Sequence, residues 1–274
     1  MDRRRVLALG LAVAVSWGMA ACDVQVGQDG DFSFGVASGR AQDTWSRRYT
    51  LPAGGRFELV NVNGRIVAEP SPGEAIEVEA ERIAKATSDE AAREMLGKVE
   101  MREETGASQV RVEVRSPRNF GVGGVEVRWT VKVPRGKVLD LRNTNGKVEL
   151  SGLEGEVRVR TVNGGVEGRG LSVQTLEAST VNGGVDVELV QPLSGDGKVS
   201  LESVNGGVKL ALPPASRASV VARVTNGGID LGGLDLQQTG EQTRRRVEGT
   251  LNGGGTPVTL ETTNGGVRLS KSTT

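Results

Sequence analysis

The dipeptide Asn-Gly occurs at Asn63, Asn145, Asn163, Asn182, Asn205, Asn226, Asn252 and Asn264. From Asn145 to Asn226 the copies lie 18, 19, 23 and 21 residues apart. Asn264 follows 38 residues later, two further periods, with a degenerate copy at Asn252 between. A period near 20 restricts the chain to architectures in which one short supersecondary unit is repeated and stacked.

Alignment on the asparagine shows what the unit is. Six residues before it stand Phe57, Leu139, Val157, Leu176, Val199, Val220 and Val258, and four before it Leu59, Leu141, Val159, Ala178, Leu201, Ala222 and Leu260. Two before it are Asn61, Asn143, Thr161, Thr180, Ser203, Val224 and Thr262, small and mostly polar. Three after it every copy carries Val or Ile, from Ile66 to Val267. Polar residues fill the alternate positions, so each unit reads as strand, tight turn and strand. Two arrangements meet this pattern. Asn-Gly between alternating strands is a hairpin signal and would give an antiparallel meander. A 20-residue period with the same residue type at each register favours one coil per repeat, a β-solenoid with parallel ladders. The solenoid is the expected fold, with about six coils over residues 137–270 and a length near 30 Å at about 4.8 Å per strand. In it the asparagines and the Thr/Ser two places earlier stack as polar ladders, inside or at the corner.

Residues 46–136 differ. Alternating segments at 56–62, 76–83, 110–114 and 125–133 surround Thr87-Ser88-Asp89-Glu90, which has the spacing of a capping box and opens a helix from Ser88 to about Leu96, stopped by Gly97. This region is expected to be a β-rich cap covering the first coil, because open strand ends need covering. The C-terminal coil, ending at 271–274, shows no cap of its own, which leaves pairing with another chain open there.

The N-terminus reads as an address. Arg3, Arg4 and Arg5 precede the apolar run 6–17, too short to span a bilayer comfortably, and Met19-Ala20-Ala21 leads into Cys22. Residues 1–21 resemble a bacterial lipoprotein signal peptide, with Cys22 as the lipidated residue. Ordinary secretion and a weak twin-arginine signal are the alternatives. An unpaired thiol in an exported protein needs a reason, and acylation supplies one. Asp23 resembles an inner-membrane retention signal, and residues 22–45 read as a flexible tether.

Composition removes several function classes. There is no histidine and one cysteine, which excludes His-dependent catalytic triads, intrachain disulfides and Cys-cluster metal sites. Lys plus Arg and Asp plus Glu both number 34, so no basic excess points to nucleic acid. Only eight residues are aromatic, few for a sugar-stacking cleft.

The copies Thr161–Val166 and Thr180–Val185, preceded by Val133-Pro134-Arg135-Gly136, resemble a bacterial family: domain of unknown function 4097, the β-strand-repeat or "putative adhesin" family. The resemblance spans about residues 48–270, including the Ala/Glu-rich helix and the Lys85-Ala86 approach to it. It implies extracytoplasmic proteins, often lipid-anchored, with a β-solenoid and no established catalytic residues, some encoded beside envelope-stress regulators.

Candidate chemistry is sparse. Gly121–Gly124 lacks the Lys-Ser/Thr of a phosphate loop, and Asp186 and Asp230 lack the spacing of calcium nonapeptides. Four places after the asparagine, Glu149, Glu167 and Asp186 would stack about 5 Å apart, where a hard cation would relieve their repulsion. Against this, nearby Arg142, Arg158 and Arg160 are expected to neutralise them, and the column continues as Lys209, Asp230 and Arg268. No catalytic, cofactor or metal residue is therefore assigned. The expected protein is a non-enzymatic, lipid-anchored envelope protein, periplasmic or at the cell surface. Its solenoid would bind a protein or polysaccharide partner, and no nucleic acid. An accessory or sensor of an envelope-stress system is the alternative, and a polysaccharide-acting β-helix enzyme a remote one.

Overall fold

The computed structural model describes residues 22–26, 32–116 and 123–272, with side chains from residue 37 onward except at Glu241. The expected signal peptide 1–21, the Cys22 side chain and the first half of the Gly121–Gly124 loop lie outside the described residues. Among the described residues the chain is all-β with one short helix, and twenty strands form one continuous curled sheet. The strands Cys22–Val26 and Phe32–Val36 pair separately as an antiparallel hairpin, inside the segment expected to be a tether. The sheet itself begins at Gly39, earlier than the expected boundary at residue 46.

The repeat accounts for the curl. Each asparagine ends a strand in one wall, and a strand in the opposite wall starts three residues later. The first wall contains Arg56–Asn63, Val138–Asn145, Glu154–Asn163, the second half of Val166–Asn182, Lys198–Asn205, Ala218–Asn226 and Thr256–Asn264. The second wall contains Ile66–Pro70, Val148–Ser151, the first half of Val166–Asn182, Val185–Leu189, Val208–Leu212, Ile229–Asp230 and Val267–Lys271. Equivalent strands pair parallel and in register: Leu139 faces Val157, Leu141 faces Val159 and Asn145 faces Asn163. This is the parallel alternative; the antiparallel meander is not formed.

Chain order and stacking order differ. Along the stack the turns run Asn63, Asn145, Asn163, Asn182, Asn205, Asn264, Asn226. The last repeat in sequence inserts between the two before it. Asn252 is not a repeat at all: it sits in a left-handed turn (φ 48°) after Arg246–Leu251, which pairs antiparallel with Ala218–Asn226. That strand and Gln237–Gln242 form a hairpin over the far edge of the first wall. The C-terminal repeat, expected to be open, is therefore internal. Asn226 marks the tip.

Between the walls lies a continuous aliphatic core. The inward positions on either side of each turn are buried; Leu139, Leu141, Val148 and Leu150 are each at most 1% exposed. Because each rung stacks on a copy of itself, branched aliphatic side chains fill the interior and few aromatics are needed. Trp129, 1% exposed, is the largest fully buried side chain, and Trp45 meets it edge-on with ring centroids 5.9 Å apart. At this first end Ile76–Ala86 and Gly124–Val133 extend the second wall, with Gly39–Tyr49 outermost. The helix Asp89–Gly97 covers the overhang, burying Ala92, Met95 and Leu96 against Ala84 and Ala86. Its N-cap is Ser88, whose Oγ accepts from the Ala91 amide at 3.2 Å. The cap expected at Thr87 thus lies one residue later, and with Ala91 as the third helical residue no reciprocal capping box forms. Tyr49 Oη donates to Glu103 at 2.6 Å and Arg47 pairs with Glu103 at 3.1 Å, bridging the walls at this end.

The turn requires glycine for a backbone reason. A Cβ on Gly146, Gly164, Gly183 or Gly206 would fall 1.9–2.3 Å from a glycine carbonyl oxygen in the adjacent rung. Gly206→Ala should therefore lower stability in urea melts by about 3 kcal/mol, whereas Gly228→Ala, with open space at its Cβ, should be within about 0.5 kcal/mol of wild type.

Candidate functional site

The turns line up into one edge of the stack, and the asparagine side chains join along it. Asn145 Nδ2 donates to Asn63 Oδ1 at 2.6 Å, Asn163 to Asn145 at 2.8 Å, and Asn182 to Asn163 at 2.8 Å. Asn205 donates to Asn182 at 2.9 Å, Asn264 to Asn205 at 2.8 Å, and Asn226 to Asn264 at 2.8 Å. All six bonds point the same way. The ladder lies on the outside: six of the seven asparagines are exposed and Asn145 is half-buried. Of the two expected locations, inside or corner, the corner is the one realised.

The residue just before each asparagine points outward beside this ladder. Along the stack these are Val62, Thr144, Val162, Val181, Val204, Thr263 and Thr225. The four valines are 39–42% exposed and are the exposed large hydrophobics of the described residues. The edge is therefore a straight stripe of amides flanked by β-branched side chains. Sequence reasoning left this position unread; its signal was a Val or Thr before every stacked asparagine.

Two places before the asparagine the side chain turns inward. Thr180 Oγ1 donates to the Gly164 carbonyl at 2.7 Å, Ser203 to Gly183 at 2.8 Å and Thr262 to Gly206 at 2.7 Å. Each hydroxyl thus satisfies the turn carbonyl of its neighbour. Thr161 breaks the series: Asn143 Nδ2 donates to the Gly146 carbonyl at 3.0 Å, and the buried Thr161 hydroxyl is left without a partner.

The acidic column stands on the outer face of the second wall, where each carboxylate meets a cation. Lys147 contacts Glu149 at 3.1 Å and also pairs with Glu167; Arg169 contacts Glu167 at 3.0 Å and Asp186 at 2.8 Å; Lys209 lies 3.7 Å from Asp186. The hydrogen bond from Lys147 holds the Glu167 carboxyl below its ordinary range, and the one from Arg169 does the same for Asp186. The neutralising residues are not those expected. Arg142 and Arg158 lie on the opposite wall, where Arg142 bridges Glu58 (3.1 Å) and Asp140 (3.3 Å), and Arg158 pairs with Glu156 and reaches Glu177 at 3.6 Å. Arg160 shares that wall. Among the described residues no group of three or more acidic or thiol side chains is placed to hold a metal ion. An open groove of about 520 Å³ lies at the first end, where Glu77 is paired with Arg48 at 3.0 Å.

Residues 98–270, well over half of the chain, match the family model described as Toastrack DUF4097. The chain belongs to this family. No curated protein matches it. Among solved structures the Toastrack fold here is similar to a "putative cell adhesion protein" from Clostridium sporogenes, with a TM-score of 0.51 at 13% identity over 85% of this chain and 100% of that one. That likeness shows the fold. Two others align less closely. One is a "putative lipid binding protein" from Parabacteroides distasonis, with TM-score 0.32 and 10% identity over 84% and 97% of the two chains. The other is a "putative adhesin" from Bacteroides fragilis, with TM-score 0.30 and 10% identity over 83% and 97%.

The two polar columns predict different mutational costs. Thr180→Val should lose about 1 kcal/mol by orphaning the Gly164 carbonyl, while Thr161→Val should match or exceed wild-type stability, since its hydroxyl has no partner to lose. Asn182→Ala should also cost about 1 kcal/mol, because water reaches its exposed partners. Chemical denaturation of the three variants checks this. The depressed carboxyls of Glu167 and Asp186 add stability only while ionised. As pH falls from ~5 to ~3 the unfolded chain takes up these protons first, and the contribution disappears. Arg169→Met should flatten that acid limb in melts recorded against pH.

Proposed function

We propose that this Toastrack protein is a non-enzymatic, lipid-anchored protein of the cell envelope whose stack serves as an interaction or scaffold module. The curled sheet is read as a single-stranded β-solenoid of about six coils following the β-rich cap. The observation that carries the reading is the exposed asparagine stripe flanked by Val62, Val162, Val181 and Val204. It is a regular, solvent-facing surface suited to an extended protein or polysaccharide partner. The carboxylates of the acidic column, and Glu58 and Asp140 on the opposite wall, are matched with Lys or Arg. This supports binding over acid–base chemistry, which needs a carboxyl whose protonation is tuned to the reaction.

Anchoring rests on the sequence around Cys22, and the adhesion-type names of the solved relatives accord with an extracytoplasmic location. No helix of the described residues is long and apolar enough to cross a membrane; the attachment in this reading is a lipid on Cys22. Cys22→Ala should then move the protein from the membrane fraction to the soluble fraction; persistent membrane association would sink lipid anchoring. A photo-crosslinking residue at Val162 or Val181 in living cells should capture a partner that one at Lys209 does not. Equal capture at the three positions would overturn the assignment of the stripe.

A further inference from the structure

The turn sequence of this protein is also its most labile chemistry. In Asn-Gly the backbone nitrogen of the glycine can attack the asparagine side-chain carbon, since glycine offers no Cβ to hinder the approach. The new bond joins Gly N to Asn Cγ, the Cγ–Nδ2 bond breaks, and ammonia leaves with the proton lost from the glycine amide. Water then opens the resulting succinimide at either carbonyl, giving aspartate or isoaspartate. Two things oppose the reaction in a folded chain: a hydrogen bond that occupies the glycine N–H, and contacts that fix the asparagine amide.

The stack supplies both at six of its seven rungs. Gly64 N–H donates to the Asn145 carbonyl at 2.8 Å, Gly146 to Asn163 at 2.9 Å and Gly164 to Asn182 at 2.9 Å. Gly183 donates to Asn205 at 3.0 Å, Gly206 to Asn264 at 2.9 Å and Gly265 to Asn226 at 3.0 Å. Every donor reaches towards the tip, so the tip rung has no rung beyond it to receive its own N–H. Gly227 N–H accordingly has no acceptor among the described residues. The side chains follow the same logic. Asn145, Asn163, Asn182, Asn205 and Asn264 each both give and accept a ladder bond. Asn63 accepts from Asn145 and donates to the Val125 carbonyl at 3.4 Å. Asn226 only donates, and its Oδ1 has no partner among the described residues. Both Asn226 and Gly227 are exposed. The eighth pair is held differently: Asn252 Nδ2 donates to the Pro214 and Ser216 carbonyls, both at 2.8 Å, which pins its amide away from its own backbone.

We propose that Asn226 is a self-modification site, converted to aspartate and isoaspartate through cyclisation onto Gly227, while six of the other Asn-Gly pairs are protected by the stack and Asn252 by its bonds to the Pro214 and Ser216 carbonyls. The product replaces a ladder donor with a carboxylate facing Asn264 Oδ1, and isoaspartate also lengthens the backbone of the tip turn. The modification therefore loosens the tip rung and leaves the body intact.

The test is to hold the purified full-length protein in mildly alkaline buffer and map peptides by mass spectrometry over time, folded and in denaturant. Folded protein should convert Asn226 at least roughly tenfold faster than any other Asn-Gly pair, and denatured protein should convert all eight at comparable rates. Asn226→Gln should abolish the acidic species that ion-exchange chromatography resolves from folded wild type. Conversion of Asn182 or Asn205 as fast as Asn226 in the folded protein would overturn the proposal. So would an Asn226 that stays intact, or conversion led by Asn252.

Discussion

The approach of one turn to the next, backbone against backbone, is the contact on which this structure depends. At each rung the glycine after the asparagine lies so close to a neighbouring backbone carbonyl that a methyl group would collide with it, as at Gly206 and Gly183. That closeness lets the glycine N–H reach the next asparagine carbonyl, as from Gly183 to Asn205, so the parallel ladder continues through the corner. With the corners locked, the strands on both sides inherit one register. The side chains then stack like on like: valine on valine inside, hydroxyl on turn carbonyl beside it, and amide on amide at the rim. An unbroken backbone ladder is also what buried polar groups of the turn require.

Stacking like on like is favourable for aliphatic and amide side chains and unfavourable for charges. The outer walls resolve this by staggering. Lys147 sits between Glu149 and Glu167, and Arg169 between Glu167 and Asp186, so each cation bridges two carboxylates in successive rungs. On the other wall Arg142 does the same between Glu58 and Asp140. Along these rungs the walls become neutralised surfaces. What is left facing solvent with a uniform character is the turn edge, and the proposed interaction role attaches to that edge for this reason.

A parallel stack has two ends that cannot satisfy themselves, and the two are closed by different means. At the first end the helix Asp89–Gly97 and the Trp45–Trp129 contact cover the interior, with Tyr49 and Arg47 tying the walls together through Glu103. At the tip the chain folds a hairpin over Ala218–Asn226 before the last repeat returns inside the stack. The tip turn is nonetheless the one place where a rung lacks a successor, and its chemistry differs accordingly.

Much of this was legible in the sequence because stacking imposes a period. The strand-turn-strand unit, the inward positions such as Leu141 and Val148 and the parallel pairing follow from repeating residue types, which a one-dimensional pattern records, and the helix after Lys85 follows from its local capping residues and the glycine that stops it. The sequence also carries the family, through turns such as Thr161–Val166. It does not carry which repeat neighbours which: Val258 and Leu260 are as compatible with Val199 and Leu201 as with Val220 and Ala222, so the insertion of the last repeat is decided by the hairpin that closes the tip. Nor does it carry the partners of Glu149, Glu167 and Asp186. Arg142 and Lys147 are both near in sequence, but the turn at Asn145 sends them to opposite walls, and only Lys147 arrives beside the acids. Residue order along one rung is local information; contacts between rungs depend on where each turn places its strands.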